Sequence, residues 1–89
     1  MDKLKVLDER PSLRILAALL ERDKNISTLD DEIEGVGFNT INKTVEMLKE
    51  LDLVIEKESP YRIREFTLTS KGRKAAEKVL ELKKIIEEE

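Results

Sequence analysis

The chain contains no cysteine, no histidine and no tryptophan. Without cysteine there is no disulfide framework and no thiolate metal site. Without Cys and His together, the strongest nucleophile and the commonest general base are both missing. Carboxylates and lysines abound but form no catalytic constellation, and the 3 glycines build no phosphate-cradling loop. The chain is therefore not expected to be an enzyme, and nothing in it implies a cofactor or a bound metal. The longest apolar run, ILAALL at 15–20, falls far short of the roughly 20 residues of a membrane-spanning helix. The opening MDKLKVLDERP lacks the apolar stretch of a signal peptide. These absences point to a cytoplasmic protein.

What is present suits one small folded domain. Of 89 residues, 42% are charged and 39% hydrophobic, with Leu, Ile and Val spread along the chain. Aromatics are limited to Phe38, Tyr61 and Phe66. Richness in Glu, Lys, Ile and Leu fits the usage of a thermophile. The net charge of −3 is unevenly placed: residues 1–37 hold 6 Lys/Arg against 9 Asp/Glu, whereas 38–89 hold 11 of each. The acidic excess thus lies away from the second half, which permits a local positive face there.

Leu4, Val6 and Leu7 suggest a short opening helix that closes before Pro11, with Pro11 in the first turn of the next. In SLRILAALLERD, Leu13, Leu16, Ala17 and Leu20 follow helical spacing, and Ile15 and Leu19 widen the apolar face. A further helix is expected to start at Ser27 or Thr28, with Asp30 and Asp31 in its first turn, Leu29 and Ile33 inward, and Gly35 ending it. The next begins near Asn39, with Ile41, Val45 and Leu48 on one stripe and Leu51 close by. LVIEKE and RIREFTLT read as two short strands joined through Pro60, with Arg64, Phe66 and Leu68 on one face and a bulge near Arg62–Arg64. Thr69 or Ser70 then caps a long last helix. Gly72, Ala75, Val79, Leu82 and Ile86 make a heptad-like seam along it, flanked by Ala76, Leu80 and Ile85, and its second half is expected to reach past the body of the domain.

At this point the residues resemble a family. LKVLDERPSLRIL resembles the opening of arsenic-repressor-type (ArsR-like) domains, and ISTLDDEIEGVGFNTINKTVEMLKELDLV resembles their helix-turn-helix. REFTLTSKGRK is similar to the junction after the wing in multiple-antibiotic-repressor-type (MarR-like) and related archaeal regulators. The likeness spans roughly residues 4–80, and it departs at Asp52, where the family often has Gly. It implies a mainly α winged helix-turn-helix with a small β-hairpin wing: a domain over residues 1–69, then a C-terminal helix at 70–89 that joins two copies.

On that reading, the recognition helix at about 39–51 enters the major groove of double-stranded DNA and the wing at about 54–68 rests on the backbone. Asn39, Thr40, Asn42 and Lys43 would meet base edges, since Asn pairs with adenine, Lys with guanine or phosphate, and Thr with either base edges or a thymine methyl. Arg62, Arg64 and Lys71 would hold phosphate, and Ala75, Val79, Leu82 and Ile86 would form a homodimer interface. Plainer readings stand beside these. Asn and Thr at a helix start commonly cap it, and the wing charges, Lys57 included, can simply pair across strands. A solvated, dipole-matched face accounts for DDEIE better than a metal cluster does. For the whole chain the alternatives are a winged-helix protein-interaction module without DNA binding, or the DNA-binding half of a system whose effector another protein carries.

Overall fold

The computed structural model describes Leu4, Asp8, residues 10–57 and residues 64–88. The described elements run α1 (Ser12–Glu21), β1 (Lys24–Asn25), α2 (Ile26–Glu32), α3 (Phe38–Glu50), β2 (Val54–Lys57), β3 (Glu65–Leu68) and α4 (Ser70–Glu87). The strands form an antiparallel sheet in the order β1-β3-β2, with Lys24 opposite Phe66 and Val54 opposite Leu68. This is a winged helix-turn-helix: α2 and α3 are the helix pair and β2–β3 the wing. The two-residue β1 was not legible beforehand, because Lys24 and Asn25 carry no strand pattern of their own.

Each helix start is set by a particular side chain. Pro11 is the N-cap of α1 rather than a first-turn residue, and it has no capping side chain. Asp8 supplies that function from outside, accepting from the N–H groups of Leu13 at 3.2 Å and Arg14 at 3.0 Å. The buried Arg14 guanidinium closes the arrangement, donating to the Asp8 carboxylate at 3.2 Å and to the Glu34 carbonyl at 3.0 Å. The cap of α2 is Asn25, whose side chain accepts from Thr28 N–H at 2.8 Å. The cap therefore lies two residues before Ser27 and three before Thr28, and Asp30 and Asp31 fall in the second half of the helix. Gly35 has φ 82°, the left-handed conformation expected after this helix. Thr69 caps α4 by accepting from Gly72 N–H at 2.9 Å.

The core comprises Leu4, Ile15, Leu16, Leu19, Leu29, Ile33, Ile41, Val45, Leu48, Val54, Phe66, Leu68, Ala76 and Val79. Compared with the sequence reading, α1 is turned so that Ile15 and Leu19 are deepest, while Leu13 and Leu20 pack at the margin. Leu51 is 51% exposed rather than buried. The helix has already ended, and the chain turns through Asp52 at φ 60°, the backbone region that favours glycine at such a place. Val6, Leu7, Arg62 and Ile63 lie outside the described residues, as does the expected bulge apart from Arg64.

The C-terminal helix begins inside the fold. Gly72 is buried, and a Cβ there would collide with the carbonyl of Leu53, where the wing begins. The same junction is tied by Thr69, whose N–H donates to Leu53 O at 3.1 Å and whose hydroxyl donates to Asp52 O at 2.6 Å. Gly72 therefore serves a close approach of backbone to backbone, not the start of a seam between chains. Gly72→Ala is expected to destabilise the protein by about 2–3 kcal/mol, because the neighbour that must yield is backbone. Thermal or denaturant unfolding measures this, and an unchanged midpoint would contradict the close approach.

Candidate nucleic-acid interface

The orientation of α3 follows from its apolar stripe. Ile41 and Val45 are fully buried and Leu48 nearly so, while Thr44 turns its hydroxyl back to the Thr40 carbonyl at 2.7 Å. With that face inward, Phe38, Asn39, Thr40 and Lys43 are exposed and Asn42 is half-buried. The helix begins at Phe38, one residue earlier than expected, with Gly37 as N-cap and no capping side chain. Since Asn and Thr at a helix start usually serve as caps, this matters: neither Asn39 nor Thr40 is used that way. Among the described residues, the side chains of Asn39, Thr40 and Lys43 have no hydrogen-bonding partner and so remain available at the outer end of α3.

Asn42 is different, because Arg64 reaches it from the wing. The Arg64 guanidinium donates to Asn42 Oδ1 at 2.5 Å and to Glu46 at 2.6 Å. It also donates to Glu56, through Nε at 3.3 Å and Nη2 at 3.2 Å, and lies over the Phe66 ring, 5.2 Å from its centre. Lys49 joins the group through Glu56 at 3.1 Å and Glu46 at 3.5 Å. Two cations and two carboxylates thus link α3, β2 and β3 with no net charge. Arg64, expected on a phosphate, is occupied here.

The remaining candidate residues divide by position. Lys71 is exposed, and its ammonium donates to the Leu51 carbonyl at 3.1 Å. It therefore complements the negative C-terminal end of α3, about 20 Å along the helix axis from Phe38 at 1.5 Å per residue. Arg62 lies outside the described residues. Lys57 pairs with Glu65 at 3.1 Å across the strands and with Asp23 at 2.9 Å. On α4, Val79 is buried in the chain's own core and Ala75, Leu82 and Ile86 are packed against it. The exposed large apolar side chains there are Leu80 and Ile85, at 38% and 62%.

Two features of the site escaped the sequence reading. Phe38 is 49% exposed on the first turn of α3, beside Asn39. An aromatic directly after a glycine N-cap was the available signal. Glu46 and Glu56 were the other omission, since only the folded chain brings them to Arg64. Hydrogen bonds from Arg64 and then from Lys49 hold the Glu56 carboxyl below its ordinary pKa. A carboxylate easier to ionise in the folded than in the unfolded chain contributes fully above its ordinary pKa and loses that contribution as pH falls through the lowered folded value. Stability is therefore expected to decline as pH falls below the ordinary glutamate value of 4.5, and less steeply in Glu56→Gln. Melting curves across that range measure it; parallel wild-type and variant profiles would show that Glu56 contributes nothing to the decline.

Several solved structures share this fold. YtfH of Salmonella typhimurium, a candidate transcriptional regulator, is 26% identical with a TM-score of 0.82, over 94% of this chain and 77% of its own. The adhesin competence repressor AdcR of Streptococcus pyogenes is 16% identical with a TM-score of 0.80, over 93% of this chain and 65% of its own. The Archaeoglobus fulgidus protein AF1382 is 20% identical with a TM-score of 0.82, over 98% of this chain and 99% of its own. This chain thus spans slightly less than two thirds of the AdcR chain. No curated protein matches. No helix among the described residues is long and apolar enough to cross a membrane. The sequence likeness to arsenic-type and multiple-antibiotic-type repressors was right at the level of the winged helix, and a different family model fits the chain. That model, the HxlR-like helix-turn-helix, matches residues 6–89, and the protein belongs to this family.

Proposed function

We propose that the protein is a sequence-specific, double-stranded DNA-binding transcriptional regulator that works as a homodimer in the cytoplasm. The observation that carries this is the outer end of α3, where Asn39, Thr40 and Lys43 are exposed and unpartnered among the described residues. In a helix-turn-helix, that end of the second helix meets base edges. Family membership and the regulators among the structural neighbours support the same reading. Lys43 supplies charge for phosphate or guanine, Asn39 and Thr40 supply hydrogen bonds, and Phe38 offers an apolar contact for a thymine methyl. Lys71, Arg73 and Lys74 at the start of α4, together with Arg62, are the remaining cations proposed to hold the DNA backbone.

Binding titrations at rising salt test this. Affinity is expected to fall steeply between about 50 and 200 mM, because phosphate contacts release counterions. Lys43→Glu is expected to weaken binding to every sequence and to lower the salt slope by about one. Asn42→Ala is expected to relax preference at one base pair. If both variants bind like wild type, α3 does not read DNA. One observation favours a protein partner instead: Glu50 is an exposed carboxylate at the inner end of α3 with no ion pair among the described residues. A wild-type chain that captures no duplex at about 50 mM salt, where the electrostatic attraction is strong, would end the DNA reading and leave that alternative standing.

For assembly, the reading rests on α4. Leu80 and Ile85 are exposed, and Leu82 and Ile86 border them at the edge of the core. Two such helices would pair the copies and set two α3 ends about 34 Å apart, or a multiple of it, to address two half-sites. Ala75 and Val79 lie nearer the core, so their part in the interface is to support that surface from beneath. Leu80→Lys combined with Ile85→Lys is expected to give a folded monomer by sedimentation; an unchanged dimer mass would place the interface elsewhere.

A further inference from the structure

We propose that Arg64 is a positioning residue that fixes the hydrogen-bonding sense of Asn42, so that Asn42 reads DNA as a donor only and selects guanine over adenine. The inference rests on the DNA-binding reading above. It starts from the contact between Arg64 Nη1 and Asn42 Oδ1 at 2.5 Å. A guanidinium has five N–H donors and no acceptor, so the Asn42 atom facing it must be the carbonyl oxygen. The opposite orientation would set N–H against N–H. The chemistry of the partner therefore settles which end of the amide is which.

Arg64 is itself held in place. Its backbone carbonyl accepts from Ile26 N–H at 3.1 Å, at the end of the β1–β3 pairing. The guanidinium lies over Phe66, itself fully buried in the core, and is bonded to both Glu46 and Glu56. A planar fork held by a ring and two carboxylates cannot swing away without breaking several contacts. The Asn42 amide is thereby oriented by a rigid neighbour.

With Oδ1 committed, the Asn42 NH2 faces the other way. It makes no hydrogen bond among the described residues, and no described side-chain nitrogen or oxygen is both buried and unsatisfied. The group is consequently within reach of solvent, on the half-buried flank of the helix next to Lys43. An unconstrained asparagine reads adenine with both halves of its amide, accepting from N6 and donating to N7. This one has its oxygen turned toward Arg64, one lone pair used there, and presents its NH2 donors outward. In the major groove, guanine presents two adjacent acceptors, N7 and O6, whereas adenine sets an N6 donor beside its N7. The NH2 group thus suits guanine and is misfit to the donor side of adenine.

The test is selection from a random duplex library, followed by titration of duplexes that differ at the single pair contacted by residue 42. Wild type is expected to favour guanine over adenine there by about tenfold. Arg64→Met keeps an unbranched apolar stem over Phe66 but removes the donors, freeing the amide to turn. It is expected to move the preference at that one pair toward adenine and to leave the other positions unchanged. Glu56→Gln disturbs the same charge group but spares the Arg64–Asn42 bond, and should retain guanine. Without DNA, the Asn42 side-chain amide resonances should shift in Arg64→Met and stay in place in Glu56→Gln.

Adenine selected by wild type, guanine retained in Arg64→Met, or an equal change in Glu56→Gln would each overturn the inference. So would a parallel loss of preference at every position in Arg64→Met, which would mark a purely structural role. If Arg64→Met does not fold, the wild-type choice between guanine and adenine decides alone. Salt-sensitive duplex binding with the wrong base sinks only this inference, whereas no binding to any duplex sinks the DNA reading as well.

Discussion

The rotation of α3 about its own axis is the constraint on which the functional surface depends. Ile41 and Val45 have no exposed surface, Leu48 has almost none, and Thr44 is buried with its hydroxyl satisfied within the helix. Helical periodicity leaves no freedom after that: with 41, 45 and 48 inward, 39, 42, 43 and 46 must lie outward. Turning the helix by even one residue would expose Val45 and drive Asn42 or Lys43 into the core, at the cost of an unsatisfied amide or a desolvated charge. The polar end of α3 is a consequence of apolar packing beneath it.

Charge is organised in the same manner. The chain is net acidic, and many of its cations are neutralised at short range. Arg14 meets Asp8 in the interior. Lys24 is buried between Glu21 and Glu32; burial works against its charged form, but the two carboxylates outweigh that and raise its pKa. Lys49 and Arg64 share Glu46 and Glu56, and Lys57 is taken by Asp23 and Glu65. Exposed pairs of this kind contribute little stability individually. Their geometric effect is larger, because each fixes a long side chain and subtracts a cation from the surface. Lys43, with no such partner among the described residues, stands out at the tip of α3.

The last helix joins the core to the wing. Its N-terminal turns are pressed against the wing by Gly72 and tied there by Thr69, and Ala76 and Val79 complete the core beside α1. Only further along do Leu80 and Ile85 emerge. That apolar surface lies on a helix firmly joined to the wing. In a paired assembly, the angle between two α4 helices would accordingly govern the spacing of two α3 tips.

The sequence by itself determined the order of the four described helices and the two wing strands, the inward stripe of α3, a cap at Thr69 or Ser70 and the left-handed turn at Gly35. All of these rest on local periodicity or on the chemistry of a few adjacent residues. It also located the polar cluster at residues 39–43 without deciding between caps and contacts. Tertiary structure showed that neither Asn39 nor Thr40 caps α3, and it decided much else that depends on residues distant in sequence. Asn25 caps α2 ahead of two better-looking candidates, β1 exists because β3 lies alongside it, and Val79 belongs to its own chain's core. Above all, Arg64 and Asn42 stand 22 positions apart in the chain and meet only when the wing folds against α3. Spacing within a helix or strand is written in the sequence, but which side chain occupies another's acceptor is set by packing between elements.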